Sequence, residues 1–380
     1  MLKFIIKHTK TLPIPFSRRL ISMSIEFLRA IFRNYILNTS SSRGPLFITW
    51  MVTFDCNAFC VFCSTHSQKK KFTADLSREK AIATAHEIGK SKVKIVGFTG
   101  GEVLLWPYLF DVIKILKSYN IAVYLVTNGH LLKEKADEIL ENRVDSITVS
   151  IDSCNSEEHD SLRNLPGLFK TAIEGIQYLK KKRHGKYPII KSTTVLTQQN
   201  IHTISQTIEY LSRIVDHTSI QPISFGYENH PHSKNTHSMK SLLFDNAEYH
   251  STQSYIDQLC DQFPQFNTSY FRNIPAFIFN PITLQKKIKC WSPFFRLIIM
   301  PDGEVFHCIA SPAMSSLGNI NKSSFMQIWN GSQIRQQRDC IRKHQNNCLC
   351  WTQDVSFNAL MYSLKLPNKL PTFNKSDMLP

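Results

Sequence analysis

The chain has 380 residues, 42% of them apolar, and a formal net charge of +16. That is enough for one large domain with a smaller one, and no apolar run is long and clean enough to form a bilayer-spanning helix. Ten cysteines with no secretory-signal pattern argue against a disulfide framework and for metal or redox chemistry in a cytoplasmic protein.

The first segment, residues 1–44, is basic: Lys3, Lys7, Lys10, Arg18, Arg19, Arg29, Arg33 and Arg43 stand against Glu26 alone. Within it Ile21, Ile25, Leu28, Phe32 and Ile36 recur at helical spacing, with Ser22, Glu26, Arg29 and Arg33 on the other side. This predicts an amphipathic helix over Leu20–Leu37. Such a helix suits an anionic membrane surface, peripheral to the inner face of the membrane, or a plug across the bottom of a barrel. The stretch Asn38 to Pro45 breaks it.

Residues 45–228 alternate short apolar runs with helical patterns. Strands are expected at Phe47–Phe54, Val93–Phe98, Ala122–Thr127, Ser146–Ile151, Ile189–Leu196 and Ser219–Phe225. Helices are expected at Ser77–Lys90, Pro107–Tyr119, Lys133–Glu141, Leu168–Lys180 and Ile201–Ile214. The alternation predicts a parallel sheet closed into a partial (β/α)6 TIM-type barrel, with chemistry at the C-terminal strand ends. Residues 229–289 form a less regular connection; His230, His232 and His237 lie there in a polar loop and read as solvated. Residues 290–380 form a small α+β extension, in which Pro301-Asp302-Gly303 between two apolar runs predicts a hairpin.

Directly after the first strand stand Cys56, Cys60 and Cys63, spaced Cys-x-x-x-Cys-x-x-Cys. Three thiolates hold three irons of a four-iron cluster and leave the fourth open. Zinc in the same place needs a fourth ligand, for which His66 is the candidate. The second strand ends in Gly100-Gly101-Glu102, the third in Asn128-Gly129, and the fourth in Ser150-Ile151-Asp152. Glycines let the backbone approach a ligand, and a carboxylate accepts hydrogen bonds from an ammonium group.

These motifs together resemble the radical S-adenosylmethionine superfamily. The resemblance implies a 4Fe-4S cluster on the three cysteines, with S-adenosylmethionine chelating the open iron and being cleaved to a 5′-deoxyadenosyl radical. It implies that Phe62 packs near the adenine, that Gly100, Gly101 and Glu102 bind the amino group, and that Asn128, Ser150 and Asp152 surround the cofactor. Glu157 to Arg163 and Pro166 to Phe169 resemble the loop and helix that follow in the family. Lys191 is a further cofactor-binding candidate, or else a solvated edge residue.

Cys290 and Cys308, flanking the hairpin, with Leu317-Gly318-Asn319-Ile320, Ile328-Trp329-Asn330-Gly331 and Arg335, resemble the auxiliary-cluster domain called SPASM or twitch. The full pattern needs about seven cysteines. Here there are five, so one auxiliary cluster is expected, on Cys290, Cys308, Cys348 and Cys350, with Cys340 as the rival ligand. A structural zinc in the same thiolates is the alternative.

The resemblance implies an oxidoreductase that abstracts hydrogen from its substrate and takes electrons from a low-potential flavodoxin or ferredoxin. A ribosomal peptide is the expected substrate, because relatives with this extension commonly modify one. A lipid, a lipid-linked molecule or a small metabolite, or a non-catalytic iron–sulfur electron carrier, are the alternatives. No nucleic-acid partner is expected.

Overall fold

The computed structural model describes residues 44–63, 75–91, 93–223, 242–281, 284, 292–308 and 315–343. The expected helix at Leu20–Leu37, His66, the histidines at 230, 232 and 237, the far end of strand six, and Cys290, Cys348 and Cys350 lie outside the described residues.

Through the barrel the elements are β1 (Phe47–Met51), α1 (Arg78–Lys90), β2 (Ile95–Thr99), α2 (Leu109–Ser118), β3 (Ala122–Thr127), α3 (Ala136–Glu141), β4 (Ser146–Ser150), α4 (Ser156–Arg163), α5 (Leu168–Lys182), β5 (Ile189–Leu196), α6 (Ile204–Ile214) and β6 (His217–Pro222). There follow α7 (Tyr249–Gln262), α8 (Ser269–Arg272), α9 (Ile274–Phe279), α10 (Ser292–Phe295), β7 (Arg296–Ile299), β8 (Glu304–Phe306), β9 (Gly318–Asn319), α11 (Phe325–Trp329) and α12 (Ser332–Arg342). All six expected barrel strands are present, each within a few residues of its expected bounds.

Side-chain alternation divides the sheet into two faces. On the outer face Ile48, Trp50, Val96, Phe98, Val123, Leu125, Ile147, Val149 and Ile190 are buried against the helices in one continuous core. The helices meet it with apolar stripes: α1 contributes Ala81, Ala85 and Ile88, and α5 contributes Ala172, Ile173, Ile176 and Leu179. Ser77 caps α1, accepting from the Lys80 backbone N–H at 3.2 Å. Among the described residues no helix is long and apolar enough to cross a membrane.

The C-terminal hairpin is not set apart from the barrel. The sheet runs β6-β5-β4-β3-β2-β1-β7-β8-β9, and β7 pairs parallel with β1 from Phe47↔Arg296 to Trp50↔Ile299. The reason lies in the side chains: Leu297 and Ile299 fall on the helix-facing side and enter the same core as Ile48 and Trp50. The expected turn at Asp302-Gly303 is present, with Gly303 at φ 87°, and β8 returns antiparallel. Beyond it Arg338 is 2% exposed. Its Nε donates to the Pro293 carbonyl at 2.9 Å and its guanidinium lies 4.3 Å from the Trp329 ring centroid, tying α12 to α10 and α11. The arginine singled out from the sequence, Arg335, instead donates from the surface to the Asn330 carbonyl at 2.9 Å.

Because the hairpin shares the barrel core, Leu297→Ala is expected to destabilise the whole chain by about 2–5 kcal/mol. Urea unfolding followed by tryptophan fluorescence should show a single transition moved to lower urea. A tail transition that moves while the barrel transition stays in place contradicts the shared core.

Candidate active site at the C-terminal strand ends

The cysteine loop leaves β1 and is clamped from two sides. On one side is the end of β2: Gly101 N–H donates to the Thr53 carbonyl and Glu102 N–H to the Asp55 carbonyl, each at 2.7 Å. This explains both glycines. A Cβ on Gly100, whose φ is +141°, would lie 2.3 Å from the Thr53 oxygen, and one on Gly101 would lie 2.1 Å from the Asp55 oxygen. The close approach the glycines permit here is to the chain's own backbone, which leads straight into Cys56. On the other side is the end of α4: Phe59 N–H donates to the Arg163 carbonyl at 3.2 Å and Val61 N–H to the Leu162 carbonyl at 3.0 Å.

Glu102 is fully buried. Its Oε1 accepts from Leu104 N–H at 3.1 Å and from the Thr127 hydroxyl at 2.6 Å; its Oε2 accepts from Asn128 N–H at 2.8 Å. Burial raises its pKa, and these hydrogen bonds oppose the rise. Three of about four acceptor positions are filled, leaving one for an ammonium group. Asn128 continues the link, with Nδ2 donating to Asn57 Oδ1 at 2.7 Å and lying 4.0 Å from Cys56 Sγ.

Asp152, also fully buried, accepts from Arg163 Nε at 2.6 Å and from Val195 N–H at 2.9 Å. Arg163 in turn points Nη1 at Cys60 Sγ, 3.7 Å away, and its guanidinium lies 5.1 Å from the Phe62 ring centroid. Burial works against the Arg163 charge, but Asp152 and Cys60 hold its pKa above the ordinary value. Phe62 packs with Leu162, Ile223 and Leu242. Ser150, 8% exposed, stands on the concave face level with Thr193.

The structure thus brings Cys56, Cys60, Cys63, Phe62, Gly100, Gly101, Glu102, Asn128, Ser150 and Asp152 to one end of the sheet. Lys191 is not among them. It is level with Thr148 and His217, two residues before Thr193 and so about 7 Å down the strand from the level of Ser150. Of the expected auxiliary-cluster ligands, Cys308 follows β8 and the rival Cys340 lies in α12, both partly exposed. The other three fall outside the described residues.

Three further residues hold this site, Arg163, His159 and Asn200. Arg163 stands at the end of the segment Glu157 to Arg163. His159 accepts from Asp152 N–H at Nδ1, 3.1 Å, and burial pulls its pKa down to about 4, so it is neutral. Asn200 donates to the Asp152 and Val195 carbonyls at 2.9 and 2.8 Å. Their sequence signal is slight, since a polar residue in a helix or loop is ordinarily solvated; only the fold buries them.

The donor set suits an iron–sulfur cluster. Burial drives the Cys56 thiol up to about 11 and raises Cys60 as well, with the neighbouring cysteines adding to both shifts. Partly buried thiols that repel one another as thiolates are relieved by a cation between them, and Arg163 and Asn128 stand where they meet sulfur. Among the described residues no three His, Cys, Asp or Glu side chains are arranged to hold a single metal ion.

Fold and site together define an α/β partial barrel with a three-cysteine loop at the C-terminal ends of its strands. Residues 50–211 match the Radical SAM superfamily and residues 290–352 match SPASM, an iron–sulfur cluster-binding domain. Residues 50–211 are thus a radical SAM domain, and residues 290–352 a SPASM domain that follows it. These matches imply a 4Fe-4S cluster with S-adenosylmethionine in the barrel, and auxiliary iron–sulfur clusters in the tail.

Among curated relatives, the chain is 26% identical over 303 residues to the antilisterial bacteriocin subtilosin biosynthesis protein AlbA of Bacillus subtilis, covering 78% of this chain and 62% of AlbA. It is 31% identical over 169 residues to an AdoMet-dependent heme synthase of Methanosarcina barkeri, covering 44% of this chain and 47% of the synthase. The chain therefore spans less than two thirds of either. Among solved structures it resembles Streptococcus suis SuiB bound to precursor peptide SuiA, with TM-score 0.57 and 14% identity over 83% of this chain and 71% of SuiB. That likeness concerns the fold.

Two outcomes are expected. Asp152→Ala leaves the Arg163 charge buried without its partner and should cost about 3–5 kcal/mol, read as a fall in thermal midpoint; an unchanged midpoint contradicts the role given to the pair. Gly101→Ala forces β2 away from the cysteine loop and should lower iron incorporation on anaerobic reconstitution, while the distant Gly185→Ala, which meets nothing within 4 Å, should leave iron content as it is.

Proposed function

We propose that this chain modifies a ribosomally made peptide by abstracting hydrogen from an unactivated carbon. The observation that carries this reading is coverage. Similarity to the bacteriocin biosynthesis protein runs over 78% of the chain, whereas similarity to the heme synthase stops at 44%. Similarity confined to the barrel reports the shared chemistry; similarity that continues into the tail bears on what is done with it.

In this reading Cys56, Cys60 and Cys63 hold the 4Fe-4S cluster, and Cys290, Cys308, Cys348 and Cys350 hold one auxiliary cluster. Reductive cleavage of S-adenosylmethionine to a 5′-deoxyadenosyl radical is the chemistry that a reduced cluster on Cys56, Cys60 and Cys63 would supply. The chain's own residues orient and enclose. Glu102, pinned by Thr127 and Asn128, offers its remaining lone pair to the methionine ammonium. Ser150 and Asp152 face the cofactor from β4, and Phe62 offers an aromatic surface to the adenine. Arg163 and Asn128 donate toward the cluster thiolates. Burying these groups excludes water from the radical's path. The electron comes from a low-potential flavodoxin or ferredoxin.

The test is anaerobic. Reconstituted protein with dithionite should convert S-adenosylmethionine to 5′-deoxyadenosine, and replacing Cys56, Cys60 and Cys63 together with Ala should abolish it. Undiminished cleavage in the triple variant overturns the assignment of the triad. Incubation with short peptides encoded beside the gene should give a mass change that depends on S-adenosylmethionine; if only a lipid or small metabolite changes mass, the peptide reading falls.

A further inference from the structure

The base of the C-terminal hairpin holds a charge that its surroundings do not answer. Arg338 is 2% exposed, and a guanidinium carries its N–H donors in a fixed plane. Nε donates to the Pro293 carbonyl at 2.9 Å, and Nη2 reaches the Trp329 carbonyl only at 3.5 Å. Nη1 is shut off from solvent and meets no acceptor among the described residues. Burial disfavours the charge, Arg342 and Arg335 disfavour it further, and Asp339 alone favours it. Asp339 is itself exposed and held by Arg342 at 2.6 Å.

The Trp329 ring, 4.3 Å from the guanidinium, is a partial remedy. A cation–π contact returns only part of the hydration that a buried ion gives up. Arg163 makes the contrast. It too is buried, but Asp152 Oδ2 accepts from its Nε at 2.6 Å. Among the described residues no carboxylate bonds to Arg338.

A second unanswered group lies in the same assembly. His307, 5% exposed, has its Nδ1 buried without a hydrogen-bond partner among the described residues. Its carbonyl accepts from the Ser292 hydroxyl at 2.6 Å, and Ser292 is the neighbour of Pro293, the acceptor of Arg338. Bonded contacts thus join the end of β8 to α10, and α10 to the face of α12 that buries Ile334, Arg338 and Ile341. The residue after His307 is Cys308. Cys340, two residues beyond Arg338, falls on the other side of α12. All of these groups lie within residues 290–352, the iron–sulfur cluster-binding domain.

We propose that Arg338 is the buried counter-cation of an auxiliary iron–sulfur cluster anchored at Cys308, donating from Nη1 to a cluster sulfur. A cluster held by thiolates carries net negative charge, which is what the guanidinium lacks. Hydrogen bonds to the sulfurs and nearby charge are among the terms that set its reduction potential. Taking up an electron makes the cluster more negative, so a cation beside it favours the reduced state and raises the potential. Arg338 acts through the cluster and is a positioning residue. The proposal needs the auxiliary cluster that the domain match implies and is independent of the peptide reading.

The experiment uses the full chain, reconstituted anaerobically. The auxiliary signal is the one that S-adenosylmethionine leaves unaltered and that persists when Cys56, Cys60 and Cys63 are replaced with Ala. Its midpoint potential is read by titration with dithionite followed by electron paramagnetic resonance. Arg338→Met should shift the reduction equilibrium about tenfold toward the oxidised form, about 59 mV for one electron. Arg338→Lys should restore most of that shift, and Arg335→Met, which removes a surface charge from the same helix, should leave the potential in place. A second reading keeps Arg338 native: with nitrogen-15 in the arginine guanidinium groups, pulsed resonance on the reduced auxiliary signal should show a nitrogen-15 coupling. Absence of that coupling overturns the proposal even where Arg338→Met does not fold. So does a potential that stays in place while the thermal midpoint of Arg338→Met falls, the mark of a purely structural arginine. Zinc in place of iron at the auxiliary site overturns the cluster and the proposal together, whereas an intact cluster with an unmoved potential overturns the role of Arg338 alone.

Discussion

A guanidinium with almost no access to water sets the arrangement of the active-site end. Arg163 is carried by a short helix, and leaving its charge unpaired in the interior would cost several kcal/mol. The compensation is Asp152, two residues beyond the end of β4 and itself fully buried. The pair fixes the distance between strand and helix, and everything the helix end touches is fixed with it: the Phe59 and Val61 amides of the cysteine loop, the Cys60 sulfur and the Phe62 ring. His159 and Asn200 then hold the backbone at Asp152, so that the carboxylate has little freedom to turn away.

The second clamp is made of backbone. Two glycines let the end of β2 lie against the exit of β1, and Glu102 closes the contact by accepting from Thr127 and Asn128 at the end of β3. The cysteine loop therefore does not depend on a metal alone for its path. It enters from a strand, is pressed by one backbone and is hydrogen-bonded to another, so its path is set by the chain's own contacts. The remaining cost is electrostatic, visible in the raised pKa values of Cys56 and Cys60, and metal binding relieves it.

The seventh parallel strand changes how the tail relates to the barrel. Since β7 lies beside β1, the hairpin that leads to Cys308 and the strand that leads to Cys56 are hydrogen-bonded neighbours in one sheet. The two cysteine-bearing regions are thus held in a common frame.

The sequence alone determined the parallel barrel, because β-branched runs alternating with amphipathic helices have few other ways to bury their apolar faces. It also located the cysteine triad, Glu102, Asn128 and Asp152, because spacing within a loop and position at a strand end are local properties. Tertiary structure decided the rest. The partners of Arg163, His159 and Asn200 are distant in sequence, and nothing in a one-dimensional pattern tells a buried arginine from a solvated one. The hairpin Phe294 to Ile309 was legible as a hairpin, but its pairing with β1 spans the length of the chain. Lys191 is legible as a lysine on a strand, yet its depth is a matter of register: the pairing of β5 with β4 and β6 puts it level with Thr148 and His217, two residues below the level of Ser150 and Thr193.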